Sequence, residues 1–65
     1  MTGKVKWFSP ERGYGFIDQE DGKQVFVHYS EIAEKGFRCL EAGQPVRYDL
    51  ATVENRQEAI HVVKL

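Results

Sequence analysis

YGFIDQEDGKQVFVH, residues 14–28, consists of two short alternating runs on either side of an acidic turn containing glycine, and its pairing decides the fold. A hairpin centred on Asp21 sets Phe16 opposite Phe26 and Tyr14 opposite His28 on one face. The other face then pairs Ile17 with Val25 and Gly15 with Val27. Successive strand residues point to opposite sides, and cross-strand neighbours on one side touch. One face is therefore aliphatic and suited to a core, while the other carries four rings that the core does not need.

Working outward, proline and glycine separate further β-type runs, and no window shows a helical stripe. Strands are expected at Lys4 to Phe8, Tyr14 to Asp18, Gln24 to His28, Val46 to Thr52 and Ala59 to Val63. Turns are expected at Ser9 to Gly13, Glu20 to Lys23, Glu41 to Pro45 and Glu54 to Arg56. Ser30 reads as the cap of a single helical turn. Five short strands favour a barrel, because closure removes the edges that a small flat sheet exposes. Both an SH3-like and an OB-type barrel fit this pattern. Val5, Val46, Leu50, Ile60 and Val62 are the expected aliphatic companions inside, with Tyr48 packing its ring and needing a partner for its hydroxyl.

The chain has 65 residues, the scale of one small domain with a limited core, taken as 1–65. Cys39 is the single cysteine, so no internal disulfide staples it, and an unpaired thiol suits a reducing cytoplasm. No run is long and apolar enough for a signal peptide or a membrane span, and no membrane partner is expected. The formal charge of −1 excludes a globally basic nucleic-acid binder. The charge is uneven, however: among residues 1–17, Lys4, Lys6 and Arg12 face only Glu11, a local net of +2. Local potential matters more than the total.

Seven of the eight Phe, Trp and Tyr residues lie within the first 37 positions, more than so small a core requires. Exposed rings beside Lys6, Arg12 and His28 suit unpaired bases, which stack on flat side chains while cations follow the phosphates. An enzyme is not expected. His28, His61 and Cys39 are scattered, with no motif that makes one of them a nucleophile or base. No Cys-x-x-Cys or His-x-x-x-His spacing offers a metal site, and the Gly13, Gly15 pattern meets Asp18 where a dinucleotide fingerprint needs its third glycine. No cofactor is expected. The rival reading is an SH3-type groove for a proline-rich peptide, but its neighbours here are cations rather than acidic pockets.

RGYGFI, residues 12–17, resembles the RNP1 pattern, and VFVHY, residues 25–29, resembles RNP2. An RNA-recognition motif would also need two helices, for which this chain lacks room. The order GKVKWF, RGYGFI, VFVHYSEI, GFRCLEAGQPV is similar instead to bacterial cold-shock proteins, over nearly the whole chain. That resemblance implies an all-β fold, a five-stranded antiparallel Greek-key barrel of OB type. It further implies binding of single-stranded RNA and DNA with low selectivity, often pyrimidine-rich, in an RNA chaperone or transcription antiterminator. Matched position by position, Trp7, Tyr14, Phe16, Phe26, His28, Tyr29 and Phe37 fall on the family's stacking surface, and Lys6 and Arg12 on its basic positions. Arg56 is counted with the candidate contacts. A monomer is expected, with dimers or strand exchange as alternatives.

Three departures stand out. NRQEAI, residues 55–60, replaces the family's Gly-Pro-Gln-Ala approach to the last strand and is one residue shorter. Glu58 stands where glutamine is usual, and Gln24 where an acidic residue is frequent. Trp7 sets two expectations against each other. Strict alternation turns it inward with Val5 and leaves Phe8 outside, whereas the resemblance puts Trp7 on the binding surface; a bend or a bulge in the strongly curved first strand would reconcile the two.

Overall fold

The computed structural model describes residues 1–33 and 39–65. Five strands, β1 (Thr2–Ser9), β2 (Tyr14–Gln19), β3 (Gln24–His28), β4 (Pro45–Val53) and β5 (Arg56–Lys64), close into a barrel in the order β1-β2-β3-β5-β4. A 3-10 turn, Tyr29–Glu31, follows β3. The five expected strands are all present, and β4 and β5 run further toward each other than the sequence pattern indicates.

The β2–β3 register is the expected one, Tyr14 opposite His28 through Asp18 opposite Gln24. Its turn is held locally. The Gly22 N–H donates to the Gln19 carbonyl, the Lys23 N–H donates to the Asp21 carboxylate, and Gly22 takes a positive φ of 87°. β4 and β5 join through only two residues, Glu54 and Asn55, both left-handed with φ of 49° and 65°. This is the geometry of a type I′ hairpin turn, whose twist matches that of the flanking strands. The shortened approach to the last strand is therefore a tight hairpin, and β5 begins at Arg56 rather than Ala59.

Closure depends on short pairings. β1 meets β4 from Thr2 opposite Arg47 to Lys4 opposite Pro45, and Met1 continues the contact by exchanging two backbone hydrogen bonds with Tyr48. β3 meets β5 in parallel through Phe26 opposite Glu58 and Val27 opposite Ala59. The remaining ladders are antiparallel.

Two bulges decide which side chains face inward. In β1 the register slips between Val5 and Trp7, so Lys6 is the extra residue and Trp7 comes opposite Phe16. The Val5 N–H donates to Gln44 and its carbonyl accepts from Gly43, which ties down the strand where it bends. Phe8 consequently packs against the core instead of standing outside as alternation predicts. In β5 the register slips opposite Tyr48, and His61 takes a positive φ of 51°. The extra residue reverses the alternation, so Ala59 and Val62 both lie inside and Ile60, an expected core residue, is only half-buried on the other face.

The core comprises Val5, Ile17, Val25, Val27, Ile32, Leu40, Val46, Tyr48, Ala59 and Val62, with Phe8 and Leu50 packed against it. Tyr48 is its largest side chain. Among the described residues its hydroxyl has no hydrogen-bond partner, and neither has Nε2 of the neighbouring buried Gln19. Burial pushes the Tyr48 phenol above its ordinary pKa of 10.0; the nearby Gln19 opposes this without making a hydrogen bond of good geometry. The cap of the 3-10 turn is His28 rather than Ser30: the Ser30 N–H donates to the His28 ring.

Candidate nucleic-acid interface

The β1 bulge, β2 and β3 together build one continuous row of rings. Trp7 lies edge-on to Tyr14, with centroids 5.7 Å apart, and tilted against Phe16 at 5.5 Å. Phe26 completes the row, stacked beside Tyr14 at 5.6 Å and edge-on to Phe16 at 5.9 Å. These are separations at which aromatic pairs attract one another. Each ring thus supports its neighbours without being covered by the core, and Trp7 stays 39 % exposed.

His28 and Tyr29 form a second ring pair, 4.6 Å apart, at the end of β3. The His28 Nδ1 accepts from the Ser30 backbone N–H and lies 2.8 Å from the Ser30 hydroxyl. In the neutral ring the proton therefore sits on Nε2, as a donor. The Tyr29 N–H donates to the Gly13 carbonyl at 2.9 Å, and its ring packs on Gly13, where a Cβ would lie 2.9 Å from it. Gly13, with φ of 79°, provides the turn and the space for that ring.

Gly15 serves a different purpose from the one its place between two rings suggests. It is buried on the inner side, against β1, where a Cβ would fall 2.2 Å from the Trp7 carbonyl oxygen. The close approach it permits is to the bulged strand under the rings, rather than to a ligand above them.

Lys6 and Arg12 are exposed, one in the bulge beside Trp7 and the other in the turn that enters β2, and neither forms an ion pair with a described residue. Arg56 behaves differently. Its guanidinium carbon lies over the Phe26 ring, 4.8 Å from the centroid, and its Nη2 is 3.0 Å from the Glu58 carboxylate. The sequence pattern gave no sign of this contact, because it depends on the parallel β3–β5 pairing that puts Glu58 opposite Phe26. Phe37 lies outside the described residues.

A shallow concavity of about 510 Å³ lies elsewhere, between Gly3 and Lys4 of β1, Asp18 and Gln19 of β2, and Pro45 of β4. It shares no residue with the ring row. Among the described residues of the ring surface, Trp7 and Tyr29 are exposed and Tyr14, Phe16, Phe26 and His28 are half-buried, so each keeps part of its ring accessible for stacking. Among the described residues no three His, Cys, Asp or Glu side chains group to hold a metal, and no helix is long and apolar enough to cross a membrane.

Comparison with known proteins decides the family. The profile described as the 'Cold-shock' DNA-binding domain matches residues 1–65. The chain belongs to the cold-shock domain family. Within the family, it is 49% identical over 65 residues to the cold shock-like protein CspC of Bacillus cereus, covering 100% of both chains. It is also 49% identical over 65 residues to the cold shock protein CspB of Bacillus caldolyticus, covering 98% of that relative. Among solved structures, drosophila Unr CSD456 shares the fold, with a TM-score of 0.76 at 21% identity over 98% of this chain and 26% of that one. The family is one of nucleic-acid-binding proteins, and the exposed ring row agrees with that property.

Proposed function

We propose that this chain binds single-stranded RNA and DNA with low sequence selectivity by stacking bases on Trp7, Tyr14, Phe16, Phe26, His28 and Tyr29, with Phe37 continuing the surface. Lys6, Arg12 and Arg56 then meet phosphates. The observation that carries this reading is the uninterrupted ring row from Trp7 to Phe26, partly exposed on one face of a barrel whose described core contains none of these rings. Single-stranded bases all present a π-face, so such a row is tolerant of sequence, and small pyrimidines fit closely spaced rings. By holding strands unpaired, a monomeric cytoplasmic protein of this kind acts as an RNA chaperone, and in transcription as an antiterminator.

A titration with heptathymidylate followed through the single tryptophan tests this. Binding quenches Trp7 in the wild type. Phe16→Ala and Phe26→Ala, each shown to be folded by circular dichroism, weaken binding about 5- to 150-fold, the equivalent of about 1–3 kcal/mol for one stacked base. With about three phosphates neutralised, log K falls against log salt with a slope of roughly −2. Absence of binding, together with quenching by a polyproline peptide, would replace this reading with a peptide groove.

A further inference from the structure

Arg56 is the one cation of the proposed surface that is already occupied. Its guanidinium lies over Phe26 and is held there by Glu58, which stands directly opposite Phe26 on the neighbouring strand. The two partners are unequal in freedom. The Arg56 side chain is 61% exposed and the Glu58 side chain 18%, so the carboxylate is the fixed anchor and the arginine the part able to swing. A cation over a ring face is itself attracted to the ring, so both contacts favour the covered state. A base and a guanidinium cannot stack on the same area of Phe26 at once.

We propose that the Arg56–Glu58 pair is a built-in cover on Phe26, which a nucleic-acid strand displaces before it uses that ring face. Arg56 is released from the carboxylate as it goes to a phosphate. Glu58 thereby determines how much of the platform is available, and does so without touching the nucleic acid. The inference rests on the stacking reading above and adds a competitor from within the chain.

The test uses the same heptathymidylate titration. Glu58→Gln keeps the side chain's size and removes the charged anchor. It is expected to tighten binding three- to tenfold while the salt slope stays at roughly −2, because Arg56 reaches a phosphate in both proteins and only the cost of releasing it differs. In a Phe26→Ala background the same substitution is expected to give a gain at least twofold smaller, because no ring remains to uncover. An equal gain in both backgrounds would identify a simple change of net charge and overturn the proposal, as would unchanged or weaker binding by Glu58→Gln. Arg56→Ala offers a second route that leaves Glu58 in place. At about 1 M salt, where phosphate contacts are screened, the uncovered ring is expected to make this variant bind more tightly than the wild type. Weaker binding there overturns the cover. A wild type that does not bind heptathymidylate at all refutes the stacking reading itself, a result distinct from any of these.

Discussion

Gly15→Ala tests whether the ring row depends on the close fit of β1 over β2. The added Cβ would meet the Trp7 carbonyl oxygen at 2.2 Å, the Phe8 Cα at 2.7 Å and the Phe8 Cδ1 at 2.9 Å, where ordinary contact begins at 3.4 Å. Two of these three atoms belong to the backbone, so no rotamer change relieves the clash. β1 has to move by about 1 Å, which overpacks the site at a cost of about 1–3 kcal/mol. It also weakens neighbouring ladder hydrogen bonds worth about 0.5–1.5 kcal/mol each. A total of about 3 kcal/mol is a large share of the roughly 3–10 kcal/mol that holds a domain of this size together. The melting temperature should then fall by about 12–24 °C, read by circular dichroism or calorimetry. Gly22→Ala is the control. It has a positive φ of 87° but nothing within 4 Å of its Cβ, so it carries only backbone strain of about 1 kcal/mol. If Gly15→Ala melts within a few degrees of wild type, or no lower than Gly22→Ala, the close packing of β1 on β2 is not what the structure makes of it.

Two further substitutions address the core and the shortened hairpin. The raised phenol of Tyr48 means that above pH 10 the unfolded chain loses its proton first, so this residue's contribution to stability is complete below that pH and declines as pH rises toward the folded-state value. Tyr48→Phe should therefore flatten the alkaline destabilisation that sets in above pH 10.0. At pH 7 it should be neutral or stabilising in denaturant melts, since it removes a buried hydroxyl that has no partner among the described residues; a large loss at pH 7 would mean that the hydroxyl is bonded. Replacing Glu54-Asn55 with Asn-Gly suits the two left-handed positions better and should raise stability by about 1 kcal/mol, or about 4–8 °C in melting temperature, whereas a lower melting temperature would contradict a type I′ turn.

Much of this molecule was legible in its sequence because it follows from local rules. The period of two in residues 14–28, with a turn that admits one register, placed four rings on one face and the aliphatic residues on the other, and the structure reproduces that register pair by pair. The Glu41 to Pro45 turn was equally local: the Gln44 N–H donates to the Glu41 carbonyl, and Gly43 takes a φ of 85°. Alternation failed in the two bulged strands. The side-chain period is 2, so one extra residue reverses every side chain beyond it. Lys6 is such a residue in β1, turning Trp7 out and Phe8 in, and the slip at His61 exchanges Ile60 for Ala59.

By itself, then, the sequence determined the strands, the hairpin register and the excess of rings, all set by side-chain alternation and turn chemistry among near neighbours. Only the tertiary structure decided which way Trp7 points, why Gly15 has to be glycine and where Arg56 rests. The first two depend on a bulge in the pairing of β1 with β2, and the third on contact between strands distant in sequence. Barrel closure brings β5 beside β3 and gives Phe26 a carboxylate and a guanidinium as neighbours, and no local pattern in the chain encodes that juxtaposition.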